Sequence, residues 1–180
     1  MKGIVFTEFL DLVEDKFGLE VVDKIITKSE LDSGGSYTAI GTYAFDEMLQ
    51  LLTNLSIETD ISTNDLLQVY GEHFFSVIER SYPQMLDRYT DPLDMLASVE
   101  NHIHVEVRKI YPDAELPTFE LIERTPTSLK MVYKSSRAMY MFGLGLMNST
   151  FKYYKADSDI QISKLKEDGT EVQFDVSVIG

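Results

Sequence analysis

The chain carries three histidines, His73, His102 and His104, and no cysteine. Disulfides, thiolate ligands and cysteine nucleophiles are therefore excluded. His102 and His104 stand two positions apart in a stretch of helical periodicity, so they point to different sides and do not easily chelate one ion. The zinc pattern H-E-x-x-H is absent. A single imidazole beside a large apolar pocket suits haem better than a bare ion, because a porphyrin brings its own ring of nitrogens. The competing reading is a partly exposed helix histidine paired with a nearby acid.

A second group lies at Tyr133, Ser135 and Arg137, within the run Tyr-Lys-Ser-Ser-Arg where a strand gives way to a helix. In a strand Tyr133 and Ser135 point to one side, and Arg137 follows in the first helical turn. One phenol, one hydroxyl and one guanidinium can then converge on an anion. The guanidinium fork takes a carboxylate bidentately, and the helix N-terminus adds favourable partial charge. The competing reading is an ordinary junction, with Ser135 as N-cap and Arg137 in solvent. Other chemistries find no support. There is no G-x-S-x-G elbow. Gly143 and Gly145 fall inside a helix rather than after a strand, which suits close packing against a helix or a flat ligand, not a phosphate loop. Asp91, Asp94 and Glu100 read as a solvated face.

The elements that must position these residues follow from period and punctuation. Residues 2–17 form an amphipathic helix with Val5, Phe9, Leu12 and Val13 on one face and Gly18 after it. Residues 19–28 are a shorter helix, 32–42 a glycine-marked loop, and 43–55 a helix with Met48, Leu51 and Leu52 inward. Ser62 and Thr63 are N-cap candidates for a helix over 64–79, apolar around much of its circumference and so expected to be buried. A turn-rich connection over 81–92 leads to Pro92, well placed in the first turn of a helix running to about Tyr111. Its stripe of Leu96, Val99, Ile103, Val107 and Ile110 centres on Ile103, leaving His102 and His104 on opposite edges. Helix geometry does not choose between them. Strand patterns at 119–123 and 129–133, a helix over 135–153, and strands at 160–165 and 172–179 complete the chain. Helices first, then two hairpins separated by a helix, predict an α+β fold with an antiparallel sheet of about four strands.

Composition limits the partners. A net charge of −14 disfavours nucleic acid and anionic membrane surfaces, both of which call for a basic footprint. No apolar run approaches the roughly 20 residues that span a bilayer. The opening residues show no signal-peptide pattern, because acids interrupt the apolar run. A cytoplasmic protein without membrane association is expected.

Tyr-x-Ser-x-Arg at Tyr133, Ser135 and Arg137 resembles the signature of the haem nitric oxide/oxygen-binding domain, the H-NOX family, to which the sensor domain of soluble guanylate cyclase belongs. Met1-Lys2-Gly3 is similar to that family's usual start. His104 falls where its proximal histidine is expected, upstream of a proline matching Pro117. Met139-Tyr140-x-Phe142 and Gly145-Leu146 also fit, so the resemblance covers essentially the whole chain.

The resemblance implies a single domain over 1–180 in two parts, an N-terminal helical subdomain of about 1–62 and a haem-anchoring subdomain of about 63–180, with haem b between them. It assigns His104, not His102, as the iron ligand, and Pro117 as the residue pressing on the porphyrin. Tyr133, Ser135 and Arg137 hold the propionates. Members that keep dioxygen carry a distal tyrosine at the position of Phe142 and often an asparagine near Phe74. An apolar distal pocket of Val5, Phe9, Phe74, Ile78, Phe142 and Leu146 is therefore expected, taking nitric oxide and carbon monoxide and excluding dioxygen. Tyr70, if turned inward, is the residue most able to change this. The implied function is gas sensing without catalysis. Nitric oxide would cleave the iron–His104 bond, and the signal would pass to a separate effector, a histidine kinase or a diguanylate cyclase/phosphodiesterase, with a basic patch suited to this acidic surface. The alternatives are a dioxygen sensor and a haem-free small-molecule-binding module.

Overall fold

The computed structural model describes residues 1–179. They form two compact units, Met1–Tyr70 and a second from Gly71 onward.

The first unit is helical. α1 (Gly3–Phe17) buries Phe6, Phe9, Leu12 and Val13, the three- and four-residue spacing that gives a helix one apolar face. α2 (Leu19–Thr27) buries Val22 and Ile25, and α3 (Phe45–Thr59) buries Met48, Leu51, Leu52 and Leu55. α3 begins at Phe45 rather than Tyr43 because Tyr43 belongs to the loop that closes on the chain start. The amide of Gly3 donates to the Gly41 carbonyl at 2.8 Å, and Lys2 bridges to Thr42. A Cβ on Gly3 would lie 1.8 Å from the Thr38 carbonyl oxygen, so only glycine admits this close approach. Tyr37 stacks on Phe6 at 4.4 Å, and its hydroxyl donates to Glu47 at 2.7 Å, which holds a buried carboxylate under the loop. The boundary between the units falls within α4 (Thr63–Ser81). Ser62 supplies its cap, the hydroxyl accepting the Asp65 amide at 3.1 Å. Burial of α4 is one-sided: Leu66, Leu67, Tyr70, Phe75 and Val77 are buried, while Val69 is 49% exposed.

The second unit packs helices on a four-stranded antiparallel sheet of order β1-β2-β4-β3, as expected for an α+β chain. The strands are β1 (Thr118–Arg124), β2 (Ser128–Lys134), β3 (Asp157–Lys164) and β4 (Glu171–Ile179). β4 alternates buried Val172, Phe174 and Val176 with half-buried neighbours, the period-two pattern of a sheet with one covered face. A short helix, α5 (Pro83–Leu86), sits in the connection expected to be turn-rich, and buries Met85 and Leu86. α6 (Pro92–Ala97) is capped by Asp91, whose carboxylate accepts the amides of Leu93 and Asp94.

The single helix expected from Pro92 to about Tyr111 is not continuous. α6 ends at Ala97, a π-turn spans Val99–Ile103, and α7 (His104–Ile110) follows. In the π-turn the amide of His104 reaches back to the Val99 carbonyl, one residue further than in an α-helix. An unbroken helix would carry His104 roughly 80° around the axis from Leu96. The extra residue takes back about 100°, so His104 comes within roughly 20° of the line of Leu96. Leu96 and His104 are both buried.

The last helix also differs from expectation. α8 (Tyr140–Tyr153) starts well after Ser135. The intervening residues are held as a turn: the Ala138 amide donates to the Ser135 carbonyl at 3.2 Å, and the Arg137 amide to Ser135 Oγ, also at 3.2 Å. Ala138 takes φ 50°, a left-handed conformation that ends any helix started at Ser135. Among the described residues no helix is long and apolar enough to cross a membrane.

Candidate functional site

His104 opens α7 and is 7% exposed. Its Nδ1 donates to Glu100 Oε2 at 3.2 Å, and the same oxygen accepts the amide of Phe119 at 3.1 Å. Burial lowers the imidazole pKa; the Glu100 charge works against this, and Arg108 adds to the lowering. Burial thus favours the neutral ring, and a neutral ring that donates from Nδ1 to the carboxylate carries its lone pair on Nε2. Pairing with an acid matches the competing reading of this histidine, but that reading places the ring partly exposed, and it is buried.

Glu100 corrects the sequence reading most sharply. It is no member of a solvated face; it ties His104 to the start of β1. The signal available in the sequence was its place one helical turn before His104, on the same side. Phe119 was also missed. Its ring lies 6.0 Å from His104 and 5.6 Å from Tyr133, so a row of rings runs from α7 across β1 to β2. A Cβ on Gly143 of α8 would meet Phe119 Cζ at 3.8 Å, so the glycine turns its bare face to this row. Pro117, half-buried, stands immediately before β1 and two residues from Phe119.

The Tyr133, Ser135 and Arg137 group sits at the end of the same row. Tyr133 is buried, and its hydroxyl accepts the Met139 amide at 2.9 Å. Burial raises its pKa, while the Ser135 hydroxyl, the Met139 amide and the Arg137 charge pull the other way. Arg137 precedes the helix rather than lying in its first turn, and it is not in open solvent. Its Nη1 donates to the Glu115 carbonyl at 2.8 Å, and Nη2 pairs with the Glu115 carboxylate. The fork therefore already grips a carboxylate, on the segment that leads to Pro117.

Phe74 and Phe142 meet ring to ring at 5.6 Å. A Cβ on Gly71 would lie 2.1 Å from the Phe142 carbonyl oxygen, so α4 and α8 touch backbone to backbone beside this pair. Ile78 and Leu146 pack partly buried against the core of the same unit. Tyr140 turns to the β3–β4 hairpin, its ring under the Lys164 ammonium at 5.6 Å. In the first unit Tyr70 is fully buried, meets Phe9 at 5.3 Å, and donates its hydroxyl proton to the Val5 carbonyl. His102 meets Tyr89, its Nδ1 2.6 Å from the phenol oxygen, and His73 is half-buried on α4. Among the described residues no group of three or more histidines and acids is placed to hold a bare metal ion.

These residues fit a haem. A buried neutral imidazole with its Nδ1 engaged can give Nε2 to an iron, and the observed grip of Arg137 on a carboxylate is the contact a propionate needs.

Comparison with known proteins agrees with this geometry. The family model described as Haem-NO-binding matches residues 2–162. The ferrous unliganded H-NOX protein of K. algicida is 68% identical, with a TM-score of 0.98, covering 100% of this chain and 97% of that one. The H-NOX of Shewanella woodyi, solved in the Fe(II)CO state, is 33% identical, with a TM-score of 0.82 and coverage of 98% and 94%. An H-NOX protein from S. oneidensis in the Fe(II)NO state shares the fold at 19% identity, with a TM-score of 0.90 over the full length of both chains. A search of curated proteins gave no match. The chain belongs to the haem-NO-binding family, the H-NOX domains.

Proposed function

We propose that the chain is a haem-based sensor of nitric oxide, in which release of His104 from the iron is the signal. The observation that carries this is the His104–Glu100–Phe119 arrangement: a buried, oriented imidazole tied through the Glu100 carboxylate to the Phe119 amide of β1. When bound, haem b would supply a ferrous iron able to take a diatomic gas. His104 Nε2 holds the iron, and Glu100 fixes the ring and raises its basicity. Arg137, with Ser135 and Tyr133, would hold the propionates in place of Glu115. Pro117, immediately before β1, would bear on the porphyrin.

Gas choice rests on what the distal residues lack. Phe74, Ile78, Phe142 and Leu146 carry no donor, and Val5 and Phe9 join them in this reading. Tyr70 has one hydroxyl proton and gives it to Val5. Dioxygen, polarised on ferrous iron, relies on a donor worth about 1.5–3 kcal/mol, or on the order of 10- to 100-fold in affinity. Nitric oxide and carbon monoxide rely on it much less. The description of the matching family supports nitric oxide, and the carbon monoxide state of the S. woodyi relative supports the second ligand.

Were His104 released, α7 would lose its tie to the cofactor, which would make it the two-state element that a ligand biases. The chain then hands its state to a separate effector in the cytoplasm, a histidine kinase or a diguanylate cyclase/phosphodiesterase. Substitution tests the assignment. His104→Gly should lose haem unless free imidazole is supplied, and His102→Gly should keep it. The reverse pattern would move the ligand to His102.

A further inference from the structure

Tyr89 lies in the loop between α5 and α6, with its amide on the Leu86 carbonyl at 3.0 Å; Leu86 itself is fully buried. Its hydroxyl touches both ends of the π-turn. Ser98 Oγ is 2.6 Å from it, and His102 Nδ1 is 2.6 Å from it on the other side. Ser98 is the pivot of the turn, because its carbonyl accepts both the His102 amide at 2.8 Å and the Ile103 amide at 3.4 Å. A π-turn is uncommon and persists where its surroundings fix it. Here the fixing group comes from outside the helix: one phenol holds the residue before the turn and a residue within it.

We propose that Tyr89 is a positioning residue for the iron ligand, holding the π-turn through Ser98 and His102 and so aiming His104. This rests on the reading that His104 binds the haem iron. If the turn reverts to α geometry, everything after it rotates by about 100°, and His104 leaves the line of Leu96. The phenol thus selects between a helix that presents His104 to the core and one that does not.

The test is Tyr89→Phe in the haem-loaded full chain, which keeps the ring and removes the oxygen. Tyr82→Phe is the control, since it removes a hydroxyl paired with Tyr111 at 3.3 Å, near the far end of α7. Two quantities are read: the iron–histidine stretching band of the ferrous protein by resonance Raman, and amide exchange across residues 98–104. Tyr89→Phe should shift and broaden the band and speed exchange at Ile103 and His104 by about 10-fold, while Tyr82→Phe leaves both unchanged. An unchanged band and unchanged exchange in Tyr89→Phe overturn the proposal, as do equal changes in the two variants. Should Tyr89→Phe not fold, Ser98→Ala in the same assays decides by the same criteria. Amide exchange is readable without haem, so a chain that takes up no haem would defeat the cofactor reading and still leave the role of Tyr89 to be judged.

Discussion

Glu100 is the residue through which His104 acquires its orientation. Its Oε2 serves two donors, one from α7 and one from β1, and Arg108 stands 3.9 Å from its other oxygen. Glu100→Ala should weaken haem retention by about 10- to 100-fold, measured as transfer to an excess of haem scavenger, because carboxylates behind a ligating histidine typically contribute that much. Glu100→Gln keeps an acceptor oxygen and should lose less. At the other end of the row, Arg137→Lys keeps the charge but not the fork, and should speed haem loss by on the order of 10-fold. The residue types were legible in the sequence, since Tyr133, Ser135 and Arg137 do cluster. What was not legible is the role of Glu100, which depends on a strand amide brought in from Phe119. No local pattern announces that pairing.

At the scale of elements, periodicity located the helices and strands well wherever local signals govern. Of the two cap candidates Ser62 and Thr63 it is Ser62 that caps α4, while Gly18 and Pro92 stand at helix ends as expected, since each acts on its own neighbours. It failed where a distant group decides. The π-turn depends on Tyr89, and the late start of α8 depends on the hydroxyl of Tyr133 holding Met139. Asp91 shows how the elements leading into the turn are secured. Its carboxylate caps α6, and Oδ1 lies 3.4 Å from the Arg124 guanidinium of β1. Asp91→Ala should lower stability by about 1 kcal/mol, the usual worth of an N-cap, seen as a lower urea midpoint with an unchanged slope. A midpoint equal to wild type would mean that Asp94, also on Arg124, carries the junction alone.

For the molecule as a whole, one buried phenol, Tyr70, and two half-buried ones, Tyr37 and Tyr154, set a limit at high pH. Burial raises the pKa of Tyr70 and of Tyr37 well above the usual value, and pushes Tyr154 up to about 12. Each is neutral in the folded chain at a pH where the unfolded chain ionises it, near 10. Their contribution is therefore complete below about pH 10 and is lost as pH rises through the folded values. The urea midpoint should hold between pH 8 and 9 and fall steeply by pH 11. A midpoint unchanged at pH 11 would mean these rings reach water. The net charge of −14 favours basic partner surfaces, and association with one would weaken with salt.

The most direct measurement is the absorption spectrum of the ferrous protein alone, with nitric oxide, and in air. A Soret band of five-coordinate ferrous haem should be present, should change on adding nitric oxide to that of a five-coordinate complex lacking His104, and should show no stable oxygenated form in air. Absence of any Soret band after haem supplementation, or a lasting oxygenated spectrum in air, would contradict the nitric oxide sensor reading.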